Sequence, residues 1–213
     1  MTTSATRPSP EWLPVRRRSA KRLIDLMGGS FLLLMAIPVM AAVYLAIKAT
    51  TKGPVFYRQV RVGHHGIPFT MIKFRTMHVG SHRARAALVH LNEAGGHLFK
   101  LRNDPRITPV GRLLRRLSLD ELPQLVNVLR GDMSLVGPRP LLPEDSDYLG
   151  RARDRLLVPP GVTGLWQVSG RSNLPWEEMV RLDLHYVENC SALLDLVILA
   201  RTIPAVLTAR GAH

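Results

Sequence analysis

Cysteine is almost missing from this chain, and acidic residues are outnumbered by basic ones. The single cysteine, Cys190, excludes an internal disulfide and leaves no cysteine cluster for structural zinc or redox chemistry. The 16 acidic residues stand against 29 lysines and arginines, so the formal charge is +13. This charge predicts an anionic partner, and nucleic acid, an anionic membrane surface and phosphorylated small molecules all satisfy it.

Charged residues are also missing from one long stretch near the N-terminus, Leu26–Ile47, which has the length of a membrane segment. Residues 1–19 before it are rich in Pro, Ser, Thr and Arg and are predicted to be a flexible basic tail. No small-residue cleavage site follows the apolar stretch, so we do not expect it to be a cleaved signal.

Pro38 lies near the middle of the apolar stretch, where its missing N–H and its ring predict a kinked or broken helix. The half before it is too short to cross a hydrocarbon core of about 30 Å. Basic residues flank the stretch on both sides and favour a cytoplasmic position for both ends. Residues 20–48 are therefore predicted to be a re-entrant membrane helix broken at Pro38. A proline-kinked single span is the open alternative.

Residues 49–213 are predicted to form one α+β unit that is mainly helical. Two runs rich in β-branched and aromatic residues, Val55–Val62 and Phe69–Phe74, predict a small β-hairpin. The alternation of side chains along its strands is expected to expose a basic rim formed by Arg58, Arg61, Lys73 and Arg75. A weak helix is predicted over residues 80–97, and two Gly- and Pro-rich stretches, 130–144 and 158–176, are predicted to be rigid loops.

Two amphipathic stretches, Trp176–Glu188 and Leu193–Leu207, are predicted to be interfacial helices at the end of the chain. Another helix is expected to begin at Pro109 with Thr108 as its cap. After it comes "RRLSLDELPQL", in which Ser118 and Glu121 match a capping box and predict a further helix start.

Asp120 and Glu121 are adjacent carboxylates within this basic stretch. They can complement the helix dipole, an effect of about 0.3–1 kcal/mol each. They can also serve phosphoryl transfer, because an aspartate can attack phosphorus and a neighbouring carboxylate can hold a divalent cation. The residues alone leave both interpretations open. No Walker A, dinucleotide-binding or H-E-x-x-H signature competes with them.

The chain from Lys21 onward resembles the bacterial sugar transferases, which are monotopic phosphoglycosyl transferases. The resemblance rests on "KRLIDL", "GPVFYRQVRVG", "IKFRTM", "NDPRITPVGRLLRRLSLDELPQLVNVLRGDMSLVGPRP" and "PGVTGLWQVSGRS". It implies a cytosolic, membrane-associated catalytic domain over residues 49–213, on the cytoplasmic face of the bacterial inner membrane. The implied partners are a UDP-sugar, polyprenyl (undecaprenyl) phosphate and membrane lipids, without nucleic acid, and the implied cofactor is Mg²⁺. A homodimer is compatible with the family.

The implied reaction is ping-pong: Asp120 attacks the β-phosphate of the UDP-sugar, UMP leaves, and the lipid phosphate takes the sugar phosphate. The resemblance implies that Asp120 and Glu121 are catalytic and that Glu121 is the metal ligand. The implied substrate-binding residues are Lys73, Arg75, Asp104, Arg106, Arg115, Gln124, Gly137, Pro138 and Arg139. The expected sugar is a hexose, galactose or glucose, at the first membrane step of exopolysaccharide, capsule or O-antigen synthesis.

Two other functions are compatible with parts of the sequence. A catalytically inactive membrane scaffold of the same fold would recruit glycosyltransferases, and loss of Asp120 or Glu121 would mark it. A nucleic-acid binder would satisfy the charge, but the apolar Leu26–Ile47 and the lack of aromatics interleaved with basic residues argue against it.

Overall fold

The computed structural model describes residues 15–81, 88, 90, 92, 101, 103–146, 150–170 and 174–208, with the backbone alone for residues 15–18. Its helices are α1 (Val15–Thr50), α2 (Pro109–Arg116), α3 (Gln124–Arg130), α4 (Leu165–Ser169), α5 (Trp176–Asn189) and α6 (Ala192–Thr208). Its strands are β1 (Phe56–Val62), β2 (Pro68–Phe74), β3 (Ser134–Val136) and β4 (Gly161–Thr163). Helix and strand are therefore mixed, as the α+β prediction requires.

The N-terminal helix α1 is longer than predicted and runs without interruption through Pro38. It begins at Val15, so the predicted tail over residues 1–19 is wrong in its last five residues; residues 1–14 lie outside the described part. Lysine and arginine are good helix formers, and they favour extension of the helix before the apolar stretch. One proline removes a single helical hydrogen bond, and the turns on either side keep theirs.

Helix α1 packs along the rest of the protein at both of its ends. Near its start, the Lys21 amine donates to Asp195 Oδ2 at 2.7 Å and to Tyr186 Oη at 2.9 Å. The Asp25 carboxylate accepts from Ser134 Oγ at 2.9 Å. Near its end, Ile47 is buried in a cluster of Val43, Val55, Phe74 and Leu114. Both ends of the apolar segment are thus fixed to the same body.

The other sides of α1 carry apolar side chains that the protein does not cover, among them Met27, Phe31, Leu34, Met35, Ile37 and Leu45. Residues 19–50 are long and apolar enough to cross a membrane, and few residues in their most apolar window are buried. A core helix of a soluble protein would bury such residues. This surface is therefore suited to contact with lipid.

The predicted β-hairpin is confirmed. Strands β1 and β2 pair antiparallel with Tyr57 opposite Lys73 and Arg61 opposite Phe69. A turn at His64–Gly66 joins them, in which His65 has a φ of 55°.

The two stretches predicted to be rigid loops contain regular structure. Strands β3 and β4 pair in parallel, with Ser134 opposite Gly161 and Val136 opposite Thr163, and α4 follows directly. The predictions were wrong here because these strands are three residues long and their pairing partners are distant in sequence, so no local pattern announces them. Gly161 permits the pairing, since a Cβ there would lie 2.1 Å from the Gly137 nitrogen.

The main core lies between α1, β2, α3, β3, α5 and α6. Its buried side chains include Ala36, Met71, Val128, Tyr186 and Ile198. The predicted C-terminal helices are confirmed as α5 and α6, and α6 leaves Leu193, Leu196, Ile203 and Leu207 exposed. The weak helix predicted over residues 80–97 falls mostly outside the described residues.

Candidate active site

The two adjacent carboxylates lie in a tight turn between α2 and α3. Helix α2 begins as predicted, because Thr108 Oγ1 accepts from the Gly111 N–H at 2.9 Å and Pro109 occupies the first turn. Asp120 and Glu121 then lie in a short 3-10 turn, Leu119–Glu121.

The predicted capping box at Ser118 is wrong. Ser118 has left-handed backbone angles (φ 54°, ψ 20°), and its side chain caps nothing. Helix α3 begins only at Gln124, after Pro123. Pro123 has no N–H to donate, so regular helical hydrogen bonding resumes beyond it. The Glu121 side chain is thereby free to point toward other elements.

Glu121 joins two cations from different parts of the chain. Arg139 Nη2 donates to Glu121 Oε1 at 2.5 Å and Nη1 donates to Oε2 at 3.2 Å, so the contact is bidentate. The Lys73 amine lies 3.3 Å from Glu121 Oε1. Burial would raise the pKa of Glu121, but Arg139 and Lys73 outweigh it and hold that pKa well below its usual range. Glu121 is therefore an anion at neutral pH.

Asp120 has the opposite electrostatic environment although it is the next residue. It is buried, with 7% of its surface exposed, and no hydrogen bond to it occurs within the described part of the chain. Burial and the neighbouring Glu121 charge raise the pKa of Asp120 against the attraction of Lys73 and Arg115. Two carboxylates with opposite pKa shifts are typical of sites that give them different chemical roles.

The predicted basic rim of the hairpin is wrong for three of its four residues. Arg58 is exposed, but Arg61 and Lys73 are only partly exposed and Arg75 is buried. Arg61 and Lys73 share one face of the hairpin, and that face is turned toward the carboxylates. Burial lowers the pKa of Lys73 to about 8 despite the attraction of Glu121.

Arg75 makes hydrogen bonds that are structural. Its guanidinium donates to the Lys52 carbonyl at 2.7 Å and to Thr51 Oγ1 at 2.8 Å, directly after the end of α1. These contacts fix the connection from α1 into the hairpin. Arg75 also borders the cavity described below, and its Nε has no partner within the described residues.

A second charged group lies on the Asp120 side. Arg106 and Asp104 form a buried ion pair at 2.6 Å. Arg115 Nε donates to Thr76 Oγ1 at 3.0 Å, and the Arg115 charge acts on Asp120. Asp104, Arg106 and Arg115 are thus brought together with the carboxylates.

Three predicted substrate-binding residues do not line the site. Gln124 is 1% exposed within the core. Gly137 donates its N–H to the Thr163 carbonyl, and the Pro138 carbonyl accepts from the Gly161 N–H. Gly137 and Pro138 therefore hold β3 against β4 and fix the loop that carries Arg139.

An open groove of about 1280 Å³ connects these charged residues with an apolar surface. Its lining includes the carboxylates with Lys73, Arg115 and Arg139, and it also includes α1 and α6 side chains: Leu32, Met35, Val39, Leu199, Ala205 and Val206. Ligand pockets usually measure about 300–1,000 Å³, so this groove has room for a large, amphipathic ligand.

Two residues that line the groove, Arg61 and Trp166, were not predicted to be site residues. Arg61 was assigned to a solvated rim, although strand alternation places it on the face opposite Arg58. Trp166 was read as part of a loop, yet it lines the groove from α4 and its Nε1 has no partner in the described part of the protein. No local sequence pattern could have indicated that Trp166 lines the groove.

A metal ion would depend on the adjacent carboxylates. Among the described residues, no group of three or more His, Cys, Asp or Glu side chains is arranged to hold one. Magnesium usually needs only one or two protein carboxylates when substrate phosphates complete its coordination. Asp120 makes no hydrogen bond to a described residue, so this donor set fits that requirement.

Comparison with known proteins identifies the family. The chain matches the bacterial sugar transferase family over residues 16–209, and it belongs to that family. The recognition made from the motifs is confirmed, and the protein is a sugar-phosphate transferase by class.

Among its relatives is the exopolysaccharide production protein ExoY of Rhizobium meliloti, 43% identical over 91% of this chain and 88% of the relative. The undecaprenyl-phosphate galactose phosphotransferase of Salmonella typhimurium is 43% identical over 92% of this chain, which spans 42% of that relative. The UDP-glucose:undecaprenyl-phosphate glucose-1-phosphate transferase of Caulobacter vibrioides is 40% identical over 91% of this chain and 72% of the relative.

Proposed function

We propose that this protein transfers a hexose 1-phosphate from a UDP-sugar to polyprenyl (undecaprenyl) phosphate and releases UMP. The observation that carries the proposal is the pair of carboxylates in one groove: Asp120 is buried without a hydrogen-bond partner among the described residues, and Glu121 is held by Arg139 and Lys73. The names of the relatives support the lipid acceptor and a galactosyl or glucosyl donor. Exopolysaccharide synthesis is the process that ExoY's name supports.

In the first half-reaction, an Asp120 carboxylate oxygen attacks the β-phosphorus of the UDP-sugar. The bond from that phosphorus to the bridging oxygen breaks, and UMP leaves with the oxygen. An aspartyl phosphosugar remains. In the second half-reaction, an oxygen of polyprenyl phosphate attacks the same phosphorus and expels Asp120, so a diphosphate-linked lipid sugar forms.

Separation into two steps suits a soluble donor and a lipid acceptor, since the two need not bind together. The elevated pKa of Asp120 reflects a carboxylate that burial has stripped of water, and such a carboxylate is a stronger nucleophile. Lys73 and Arg139 are placed to stabilise negative charge on the phosphoryl oxygens and on departing UMP.

Mg²⁺ is proposed as the cofactor, held by Glu121 with Asp120 nearby. When bound, it would neutralise charge on the diphosphate. Glu121 can accept such an ion because each carboxylate oxygen has two lone pairs and the contacts with Arg139 and Lys73 do not use all of them. The intact carboxylate pair and its cations favour catalysis over the inactive scaffold.

The proposed topology is monotopic at the cytoplasmic face of the bacterial cell membrane: both ends of α1 lie on that side, and the helical backbone continues through Pro38. Two observations support it. Lys21 and Ile47, near opposite ends of α1, both contact the domain that carries the carboxylates. The groove is also lined by apolar residues of α1 and α6, and other residues of these helices are exposed and suit a lipid environment.

Cysteine labelling in intact cells tests this topology. We replace Cys190 with serine and place single cysteines at Ser19 and at Thr50. Both positions should react with a membrane-impermeant maleimide only after the cells are opened, because both ends are cytoplasmic. Labelling of one position from outside would contradict the re-entrant helix and support a single span.

Intact mass measurement tests the chemistry. The purified protein, incubated with a UDP-hexose and Mg²⁺ but no lipid, should gain the mass of one hexose phosphate and release one equivalent of UMP. Added polyprenyl phosphate should then remove the adduct, and a chelator added beforehand should prevent it. A panel of UDP-sugars in the same assay identifies the donor. Absence of both adduct and UMP with every common UDP-sugar would refute the covalent route.

A further inference from the structure

Arg61 is a groove residue to which the reaction above assigns no role. It lies on β1, partly buried, lines the groove, and is acted on by the charges of Arg139, Asp145 and Glu121. Its Nη2 donates to Gln59 Oε1 at 2.7 Å and its Nη1 donates to the Pro140 carbonyl at 3.3 Å. Both acceptors are neutral, so these contacts orient the guanidinium without neutralising it.

No carboxylate forms an ion pair with Arg61 in the described part of the chain. Asp145 and Glu121 attract it from a greater distance, Tyr57 is a weak further influence, and Arg139 repels it. Glu121 is already shared between Arg139 and Lys73. Three cations therefore surround one carboxylate on this side, and burial together with Arg139 lowers the pKa of Arg61 to about 10.

Arg61 also keeps donors to spare. A guanidinium has five N–H groups, and the two hydrogen bonds above use only two. The Nε atom is buried and has no hydrogen-bond partner in the structure as described. A partly buried arginine with unused donors and surplus positive charge around it is an environment that an anion would stabilise.

We propose that Arg61, together with Arg139, forms a phosphate-binding subsite on the Glu121 side of the carboxylate pair. The inference rests on the proposed function, because that reaction brings two phosphate-bearing molecules to one groove. Arg115 and the Asp104–Arg106 pair lie on the Asp120 side. The groove thus holds one group of cations near Glu121 and another near Asp120. The group that contains Arg61 binds either the donor diphosphate or the acceptor phosphate.

Binding measurements without turnover test the subsite. Titration calorimetry in one detergent and at fixed ionic strength compares wild type, Arg61→Gln, Arg61→Lys and Arg58→Gln. The probes are UDP and a short-chain prenyl phosphate. Arg58 is the matched control, because it lies on the same strand but is exposed on the opposite face. Thermal melting of each variant verifies that it is folded.

Arg61→Gln should weaken one of the two probes about 10- to 100-fold, as expected for a lost charge-assisted pair. The affinity of Arg61→Lys should lie between those of Arg61→Gln and wild type, because lysine keeps the charge but lacks the paired N–H donors of a guanidinium. Arg58→Gln should stay within about twofold for both probes. A loss of affinity for UDP would show that the Arg61 subsite binds the donor diphosphate. A loss of affinity for the prenyl phosphate would show that it binds the acceptor phosphate.

Equal affinities of wild type and a folded Arg61→Gln for both probes would overturn the subsite. If that variant does not fold, Arg61→Lys decides: wild-type affinity for both probes would overturn the proposal. Failure of the subsite can be distinguished from failure of the proposed transfer reaction. If binding depends on Arg61 but no phosphosugar adduct forms, the proposed reaction is refuted and the subsite stands. If an adduct forms but binding does not depend on Arg61, the subsite is refuted and the proposed reaction stands.

Discussion

Asp120→Asn should abolish formation of the phosphosugar adduct and lower turnover by roughly four orders of magnitude or more, as removal of a covalent nucleophile does elsewhere. An amide has nearly the shape of the carboxylate but cannot form the acyl phosphate. Intact mass and UMP release measure the first half-reaction directly. Full turnover in this variant would refute the covalent mechanism.

The same variant should be at least as stable as wild type. The pKa of Asp120 is raised in the folded protein by burial and by Glu121. An acid with a raised pKa binds its proton more tightly when folded, so its charge opposes folding at every pH above its unfolded value. Asparagine removes that charge, and Asp120→Asn should melt at or above the wild-type temperature at neutral pH.

Asp154→Asn is the matched control. Asp154 lies in the 3-10 stretch Gly150–Leu157 and does not border the groove. It should retain wild-type adduct formation. A melting temperature of Asp120→Asn well below that of Asp154→Asn would contradict the idea that burial of the Asp120 charge costs stability.

Glu121→Gln should lose activity by roughly 10²–10³-fold and should also lose stability, unlike Asp120→Asn. The substitution leaves Arg139 and Lys73 without their shared anion in a partly buried site. Removing one partner of such a pair costs about 3 kcal/mol. For a chain of this size, the melting temperature should fall by roughly 6–12 °C.

The pH dependence follows from the direction of the shift. The pKa of Glu121 is held below its usual range by Arg139 and Lys73 despite burial. A depressed pKa gives stability that is present above the unfolded value near 4.5 and is lost as the pH falls below it. The stability difference between wild type and Glu121→Gln should therefore be full at pH 7 and shrink below about pH 4.5.

Glu178→Gln provides the control for a lost ion pair. Glu178 contacts Arg181 one turn along α5, where the Arg181 side chain is exposed and the Glu178 side chain is partly exposed. Exposed pairs contribute little, so this variant should melt close to wild type and remain active. A destabilisation of Glu121→Gln no larger than that of Glu178→Gln would show that Glu121 does not neutralise a buried charge.

Much of the site could be predicted from the sequence because its central part is local. Asp120 and Glu121 are consecutive residues, and the cap formed by Thr108 and Pro109 depends on backbone groups within one turn. The apolar stretch is recognised from its composition alone. The family could be recognised because several motifs occur in one order along the chain.

The surroundings of the carboxylates could not be predicted in the same way. Arg139 reaches Glu121 from 18 residues away and Lys73 from 48 residues away. Ser118 was predicted to cap a helix from a four-residue pattern, but its left-handed backbone ends that possibility. Arg75 was predicted to bind substrate, and its hydrogen bonds hold the connection after α1.

The sequence by itself determined the chemical groups available: one carboxylate pair, an excess of cations, and an apolar segment that contains Pro38. Only the tertiary structure decided that Glu121 forms ion pairs with Arg139 and Lys73 while Asp120 is buried without such a pair among the described residues. Charge interactions and desolvation depend on distance and burial in three dimensions. Neighbours in sequence can therefore lie in opposite environments, as Asp120 and Glu121 do here.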